Sequence, residues 1–411
     1  MKISGHKGAT LPARSATRLQ RGVLAPLALT SFVGLLNSFA LGPFLPAISR
    51  DIDTAVPVLG QVATATFFMT AFGGLLVGPL ADQLGHRRVI LAGLLATVLS
   101  ASGTALAPDF TTVLITRMIG GIGGSIASGV PLAVAGSRFA GPARRRALSI
   151  ITATVAAGAV AGAPLLTGIG SFLSWRSAFG FVALVALAVL VAFAISFPDG
   201  GRGAGRTSLR GLGRAYLPLL EDRRMLLFYG ASLLQAIAWA GPFTYLGAFL
   251  DDQHGFSTGE IGYGYMATGA GFFLGSMIGG GRLGGIGLAP IFSVSTAIIG
   301  VFWAAILTLG TGPYLAILML ATLTLAGGIG RVAFTTLLAD ESPAGAGTTM
   351  VLNASIITLG AGLGTLIGGG LIGVGGYGLL GMVLPLFAFV AALLLWLPGA
   401  RSDGATTATP P

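Results

Sequence analysis

Long apolar runs separated by short polar loops fill the chain from residue 23 to residue 397. A transmembrane helix needs about 20 mostly apolar residues to cross a hydrocarbon core about 30 Å thick. Runs this long and unbroken must be helical in lipid, because an unpaired backbone amide is too costly there. Twelve runs meet this criterion, at residues 23–48, 58–80, 89–107, 111–135, 147–170, 177–197, 225–249, 261–280, 288–309, 313–337, 347–372 and 377–397. The pattern predicts an all-α membrane protein of twelve transmembrane helices, called spans 1 to 12 below.

The composition excludes a soluble protein. Of 411 residues, 54% are hydrophobic and only 9% are charged, whereas a soluble domain is about 25% charged. The 67 glycines lie largely inside apolar runs, where small residues let helices pack closely in lipid. The net charge of +10 comes from basic residues in short loops, so we expect the lipid bilayer and no nucleic acid as partner.

Cofactor and metal chemistry find no support in the sequence. Cysteine is absent, and His6, His86 and His254 lie in tails or loops, so neither disulfides nor a metal site is expected. No phosphate-binding loop of the Gly-x-x-x-x-Gly-Lys-Ser/Thr type occurs, which excludes ATP-driven action within this chain. The spans also hold no pair of catalytic side chains. We therefore predict no cofactor and no enzymatic activity.

The basic residues predict the orientation. Cytoplasmic loops of membrane proteins are enriched in Lys and Arg, and here such residues cluster in the N-terminal tail and in the loops on its side. Only Arg50 and Arg176 fall in loops on the opposite side. We predict a multi-pass plasma-membrane protein with both termini in the cytoplasm. The acid-free first 22 residues are interpreted as a cytoplasmic tail rather than a transit peptide.

The chain also repeats itself weakly. Gly42-Pro43-Phe44 in span 1 has a counterpart in Gly241-Pro242-Phe243 of span 7, and acidic residues follow both. A Gly- and Arg-rich stretch separates the two copies, so two parallel halves of six spans are predicted. The predicted segments are an N-terminal tail, two six-helix bundles joined by a cytoplasmic linker, and a C-terminal tail, at residues 1–22, 23–197, 198–224, 225–397 and 398–411.

The sharpest motif closes span 2. Residues 78–88 read Gly-Pro-Leu-Ala-Asp-Gln-Leu-Gly-His-Arg-Arg. Gly85 is expected to take a positive φ in a tight turn, Gly78 to let a neighbouring helix approach, and Asp82 to accept hydrogen bonds near Arg87 and Arg88 or a helix N-terminus. The segment resembles the hallmark loop of the major facilitator superfamily, Gly-x-Leu-Ala-Asp-x-x-Gly-Arg-Arg.

Two further motifs carry the same resemblance. Arg117, followed by Gly120 and Gly121, resembles the superfamily's arginine motif in span 4, although Gly120 stands where the family usually has Gln. In span 5 a second pattern resembles the antiporter motif of the twelve-span drug:proton antiporter branch, with Gly-Ala-Pro in place of the usual Gly-Pro; its residues are Gly158, Gly162 and Pro164. The resemblance covers residues 23–397 and implies two pseudo-symmetric six-helix bundles, a small-molecule substrate and alternating access.

Three polar residues are candidate substrate contacts. In the superfamily, spans 1, 4, 7 and 10 line a central cavity, which implies roles for Asn37, Arg117 and Gln235. Arg117 is either a cavity charge or a structural arginine bonded between spans, since an ionisable residue within a span serves one or the other. Each amide could equally form an interhelical hydrogen bond, and that reading is preferred for Asn353 in span 11.

Ion coupling is the open point of the mechanism. No Asp or Glu lies in the middle of a predicted span, although a buried carboxyl group is a common carrier of protons. Protons remain a possible coupling ion, and four acids at the outer ends of spans 1 and 7 are candidates, although solvated loop acids are the preferred interpretation; they are Asp51, Asp53, Asp251 and Asp252.

The leading hypothesis is a monomeric secondary transporter that exports small lipophilic or drug-like compounds. A carrier for a small metabolite such as a sugar or an amino acid is the alternative, and a non-transporting receptor on the same fold is less favoured. Small-residue spacing in span 5, at Gly158 and Gly162, and in span 11 predicts close packing between the two halves.

Overall fold

The computed structural model describes residues 13–139, 141–197, 216–281 and 287–396. The predicted C-terminal tail, most of the predicted linker and the first twelve residues of the predicted N-terminal tail lie outside this part of the chain. Throughout the described ranges the regular structure is α-helical, and no strand occurs in them. The all-α prediction is therefore confirmed.

The helices follow the predicted spans closely. Span 1 consists of two helices, Ala13–Phe39 and Leu41–Asp51, bent by 43°. The helices of spans 2 to 10 are Val56–Leu84, His86–Ala105, Phe110–Arg138, Gly141–Phe172, Trp175–Ser196, Arg223–His254, Thr258–Gly281, Leu288–Thr308 and Pro313–Asp340. Spans 11 and 12 share the run Ala346–Leu394, which is broken at Gly375 and Gly376 by non-helical backbone angles.

Among the described residues, nine helices are long and apolar enough to cross a membrane. The two parts of span 1, taken together as one helix, make a tenth. The twelve predicted spans are recovered when the last helix is divided at Gly376, where φ is 67°, and when the less apolar helix Thr258–Gly281 is included. The chain thus spans the membrane as two six-helix bundles.

Short connections hold neighbouring spans side by side. Gly85 is the single residue that joins spans 2 and 3, and its φ of 87° confirms the predicted positive value. Span 4 begins at Asp109, whose carboxylate accepts a hydrogen bond from the Thr112 amide at 2.7 Å. This bond lowers the pKa of Asp109. We call the end of the bundle that carries Gly85 the inner side and the end that carries Asp109 the outer side.

Each half has its own apolar core, but the cores meet on the outer side. One core cluster of the first half contains Phe44 and Phe179, and it also includes Tyr245 and Ala248 of span 7. The inner cluster of that half is formed within spans 1 to 6 around residues such as Phe193. Apolar packing therefore joins the halves near the outer surface.

Candidate functional site

A cavity of about 320 Å³ lies between the two halves. Ser38 and Phe39 of span 1 and Phe67 of span 2 form one wall, while Trp239 and Phe243 of span 7 stand opposite. Spans 8, 9, 10 and 11 complete the lining, most of which comes from the second half. Its position at the interface of two halves matches where a transporter of this architecture holds its substrate.

Aromatic rings make up much of the wall. The rings of Trp239 and Phe243 stack with centroids 6.1 Å apart. Tyr265 meets Phe243 edge-on at 5.2 Å, and Phe272 meets Trp239 at 6.0 Å. The Tyr265 hydroxyl donates to the Phe243 carbonyl at 3.1 Å, which fixes the ring. Such a wall offers large apolar faces to a planar ligand.

Polar groups are few in the cavity. Gln235 lines it, as predicted, and its Nε2 donates to Thr296 Oγ1 at 3.0 Å. In the described ranges, no hydrogen bond reaches the Gln235 Oε1, so that oxygen can accept from a ligand. The same ranges contain no group of three His, Cys, Asp or Glu side chains able to hold a metal ion.

Arg331 of span 10 also lines the cavity, and it was not among the predicted contacts. Its side chain is partly buried, and within the described part of the chain its guanidinium has neither a hydrogen-bond acceptor nor a carboxylate partner. The sequence held a signal for it, because an ionisable residue inside a span is a functional candidate by default.

Arg117 and Asn37 lie behind the cavity wall rather than in it. Arg117 is only 1% exposed. Its Nη1 donates to Asn37 Oδ1 at 2.8 Å and its Nη2 donates to the Asn37 carbonyl at 2.5 Å. The guanidinium also stands 5.6 Å from the centroid of the Phe179 ring. In this conformation neither residue lines the cavity, and the two form a structural bond between spans 1 and 4, the alternative role expected for Arg117.

Span 4 is absent from the cavity lining because it packs tightly against its own half. A Cβ at Gly120 would lie 2.9 Å from Asn37 Nδ2. One at Gly121 would lie 2.5 Å from the Thr66 carbonyl of span 2. These glycines let spans 1 and 2 close over this part of span 4, so its side chains do not line the central cavity.

The motif at residues 78–88 lies at the inner side. Arg87 donates from Nε to the Phe197 carbonyl at 2.9 Å and from Nη2 to the Ala194 carbonyl at 2.8 Å, tying span 3 to the end of span 6. Arg88 is exposed. Asp82 and Gly78 line a second cavity of about 280 Å³, which shares Thr358 with the central one. The expected close helix approach at Gly78 is wrong for this conformation, because a Cβ there would meet no atom within 4 Å.

The glycines of span 5 pack within the first half, contrary to expectation. A Cβ at Gly158 would lie 3.0 Å from the Phe32 ring, and one at Gly162 would lie 2.6 Å from Leu36, both in span 1. Pro164 lies inside the continuous helix of span 5. Large side chains of span 1 fill the groove that these two glycines leave.

Close approach between the halves comes from span 8 instead. A Cβ at Gly269 would lie 2.5 Å from the Ala159 carbonyl, and one at Gly262 would lie 3.4 Å from the Pro164 Cα. In span 11, Gly362 packs on Phe68 of span 2. Close packing between the halves therefore occurs at part of span 11, as expected, and also at span 5, where the glycines that allow it belong to span 8.

Ion pairs close the outer side. Arg50 Nη1 lies 2.8 Å from Asp251 Oδ2 and so joins the end of span 1 to the end of span 7. Asp51 pairs with Arg176 and accepts from the indole nitrogen of Trp175 at 3.3 Å. Asp51 and Asp251 are thus paired, although Asp51 remains exposed to solvent.

Comparison with known proteins agrees with this geometry. The family model of the Major Facilitator Superfamily matches residues 27–365. The uncharacterized MFS-type transporter YtbD of Bacillus subtilis is 24% identical over 86% of this chain and 89% of its own length. A chloramphenicol resistance protein of Streptomyces lividans is 26% identical over 67% of this chain and 70% of its own length. The fold matches that of a bacterial homolog of the human lysosomal transporter Spinster, solved in an inward-facing, unoccupied conformation, with a TM-score of 0.75, 17% identity, and coverage of 94% of this chain and 99% of the other.

Proposed function

Since the chain belongs to the Major Facilitator Superfamily and is a transporter rather than an enzyme, we propose that it exports small lipophilic or drug-like compounds. The observation that carries this proposal is the aromatic cavity between the two halves. Its wall is mostly apolar, with the stacked pair Trp239 and Phe243 at its centre. A sugar would leave its hydroxyl groups unpaired against such a wall, so the cavity favours lipophilic compounds over a sugar.

Alternating access is the proposed mechanism. On the outer side the halves are joined by the Arg50–Asp251 ion pair and by the close approach of Gly262 to Pro164. On the inner side, Gly78 faces open space and lines the second cavity. Rocking of the two bundles would open the first set of contacts and close the second space. Residues 23–197 and 225–397 are the proposed moving bodies, joined by the linker at 198–224, in a monomer.

Each candidate residue has a proposed role in this cycle. Gln235 offers an amide oxygen to the substrate, whereas Asn37 and Arg117 position the bend of span 1 beside the cavity. Asp82 and the turn at Gly85 belong to the inner surface that closes when the outer side opens. Both termini are proposed to face the cytoplasm of a plasma-membrane protein, so export begins from the inner cavity.

Proton coupling is not supported by a carboxylate in the cavity, because its described lining contains none.

The related chloramphenicol resistance protein supports a drug-like substrate. Chloramphenicol is therefore the first compound to test in a host strain that lacks its major efflux pumps.

In that strain, the wild-type chain is expected to raise chloramphenicol tolerance and lower its accumulation. Phe243→Ala removes a central ring and should cancel most of the effect. Phe172→Ala makes the same change at a ring that is 89% exposed, away from the cavity, and should behave as wild type. Unchanged accumulation of chloramphenicol and of a panel of lipophilic compounds in the wild-type strain would contradict the proposal.

A further inference from the structure

The central cavity contains one charged side chain, that of Arg331. No other Asp, Glu, Lys or Arg is among the described residues that line it. We infer that this cavity selects lipophilic compounds that carry an anionic group, a carboxylate or a sulfonate, and that Arg331 binds that group. The inference rests on the proposed function in taking the central cavity as the substrate site, and it names the substrate class.

The position of Arg331 places its charge beside the aromatic wall. Gly327 precedes it by one helical turn, and residues four apart lie on the same helix face. A Cβ at Gly327 would lie 2.6 Å from the Trp239 ring, so this face of span 10 packs directly against the indole. A ligand that stacks on Trp239 therefore has its far end within reach of the guanidinium.

Arg117 and Arg331 both lie within predicted spans, but they differ in their hydrogen bonding. The guanidinium of Arg117 donates twice to Asn37 and lies over the ring of Phe179. Arg331, by contrast, is partly enclosed by the protein, but its guanidinium has no hydrogen-bond acceptor in the described part of the chain. A cation in such a place is strongly stabilised by an anion that enters with it, because the enclosure weakens the competing hydration of both charges.

The chemistry of Arg331 narrows the ligand further. A guanidinium presents a planar fork that matches the two oxygens of a carboxylate or sulfonate. The aromatic wall alone would also hold a cation through its ring faces, but a cation would lie next to the uncompensated charge of Arg331. The predicted order of affinity is therefore anion first, neutral compound second and cation last.

Three naphthalene probes of one size test this order. They are naphthalene-2-sulfonate, 2-naphthylmethanol and trimethyl(2-naphthylmethyl)ammonium, whose charges do not change near neutral pH. Calorimetry on the purified full-length chain in nanodiscs measures binding, and uptake of the sulfonate into proteoliposomes measures transport. The variants are Arg331→Gln, Arg331→Lys and, as a charge-matched control, Arg145→Gln at an exposed position.

Wild type and Arg145→Gln are expected to bind the sulfonate about tenfold or more tightly than the alcohol, the equivalent of one desolvated charge-assisted contact. Arg331→Gln should lose that preference while it keeps its affinity for the alcohol, and Arg331→Lys should be intermediate because it keeps charge without the fork. Retained affinity for the alcohol also serves as the check that Arg331→Gln is folded.

The inference is overturned if the wild type binds the three probes equally, if Arg331→Gln binds the sulfonate as well as wild type, or if it loses all three probes together. The last result assigns Arg331 a structural role. Arg331-dependent binding without uptake of the sulfonate would count against the proposed transport function and would leave the assignment of Arg331 standing.

Discussion

Arg117 holds Asn37 by two hydrogen bonds at once, one to the side-chain oxygen at 2.8 Å and one to the backbone carbonyl at 2.5 Å. The first helix of span 1 ends at Phe39, and the last carbonyls of a helix lack partners within it. The guanidinium supplies that partner from span 4. The arginine of span 4 thus stabilises the bend of span 1 from behind the cavity wall.

Arg117→Lys is expected to lower stability more than substrate affinity. Lysine keeps the charge but cannot donate to both Asn37 oxygens in the same planar geometry. The loss of one charged hydrogen bond corresponds to about 2 kcal/mol. Thermal unfolding of the purified protein in detergent measures it, and the dissociation constant of a transported probe should change little in the fraction that stays folded.

Gln235→Leu is the matched comparison and should show the opposite pattern. Gln235 lines the cavity, and among the described residues its side chain has one hydrogen-bond partner, Thr296, so its replacement should weaken binding with little change in the unfolding temperature. A variant of Arg117 that unfolds normally but fails to bind would instead restore Arg117 as a direct substrate contact.

The Arg50–Asp251 ion pair is expected to stabilise the conformation in which the outer side is closed. Asp251→Asn should shift the molecule toward outward-open conformations by at most about fivefold, because a partly exposed ion pair contributes at most about 1 kcal/mol. The chain has no cysteine, so spin labels at Ala55→Cys and Gln253→Cys report the outer distance without interference. The charge swap Arg50→Asp with Asp251→Arg should restore the shorter distance. An unchanged distance distribution in Asp251→Asn would show that the ion pair does not stabilise the closed outer side.

Two glycine substitutions are expected to trap opposite states. Gly262→Leu would drive a side chain into Thr167 and the Pro164 backbone and keep the outer side open, whereas Gly78→Leu fits the open inner space and would obstruct its closure. Both should abolish transport. Label pairs across the outer and inner ends should show a long outer distance in the first variant and a long inner distance in the second. Equal distances in the two variants would contradict rigid rocking of the halves.

A lipid- or solvent-facing control separates this effect from loss of helix packing. Gly180 lies in span 6, and a Cβ there would meet no atom within 4 Å. Gly180→Leu adds the same bulk as Gly262→Leu and should transport normally.

The spans and their loops were predictable because apolar length and charge are local properties. The break near Gly376 fell in the predicted gap between spans 11 and 12, and the turn at Gly85 took the positive φ that its motif required. Candidate site residues were harder to predict, since a sequence does not say which face of a span points inward. Gln235 reached the cavity, whereas Arg117 turned toward Asn37, and Arg331, which had not been predicted as a contact, lines the cavity.

The sequence also could not predict which helix packs against each of the spaced glycines. Small-residue spacing predicts that some helix comes close, and at Gly162 that helix was span 1 of the same half. Which neighbour fills a groove depends on the packing of all the spans, so the inter-half contact at Gly269 could not be read from its own surroundings.

Transport in proteoliposomes, with and without an imposed pH gradient, tests the central claim most directly. The account predicts that purified wild-type protein moves naphthalene-2-sulfonate across the membrane, and that Phe243→Ala and Arg331→Gln slow this movement while Phe172→Ala does not. Any response to the pH gradient would arise outside the described cavity lining, which holds no carboxylate. Protein that binds the sulfonate in the cavity but moves neither it nor chloramphenicol under either condition would contradict the account.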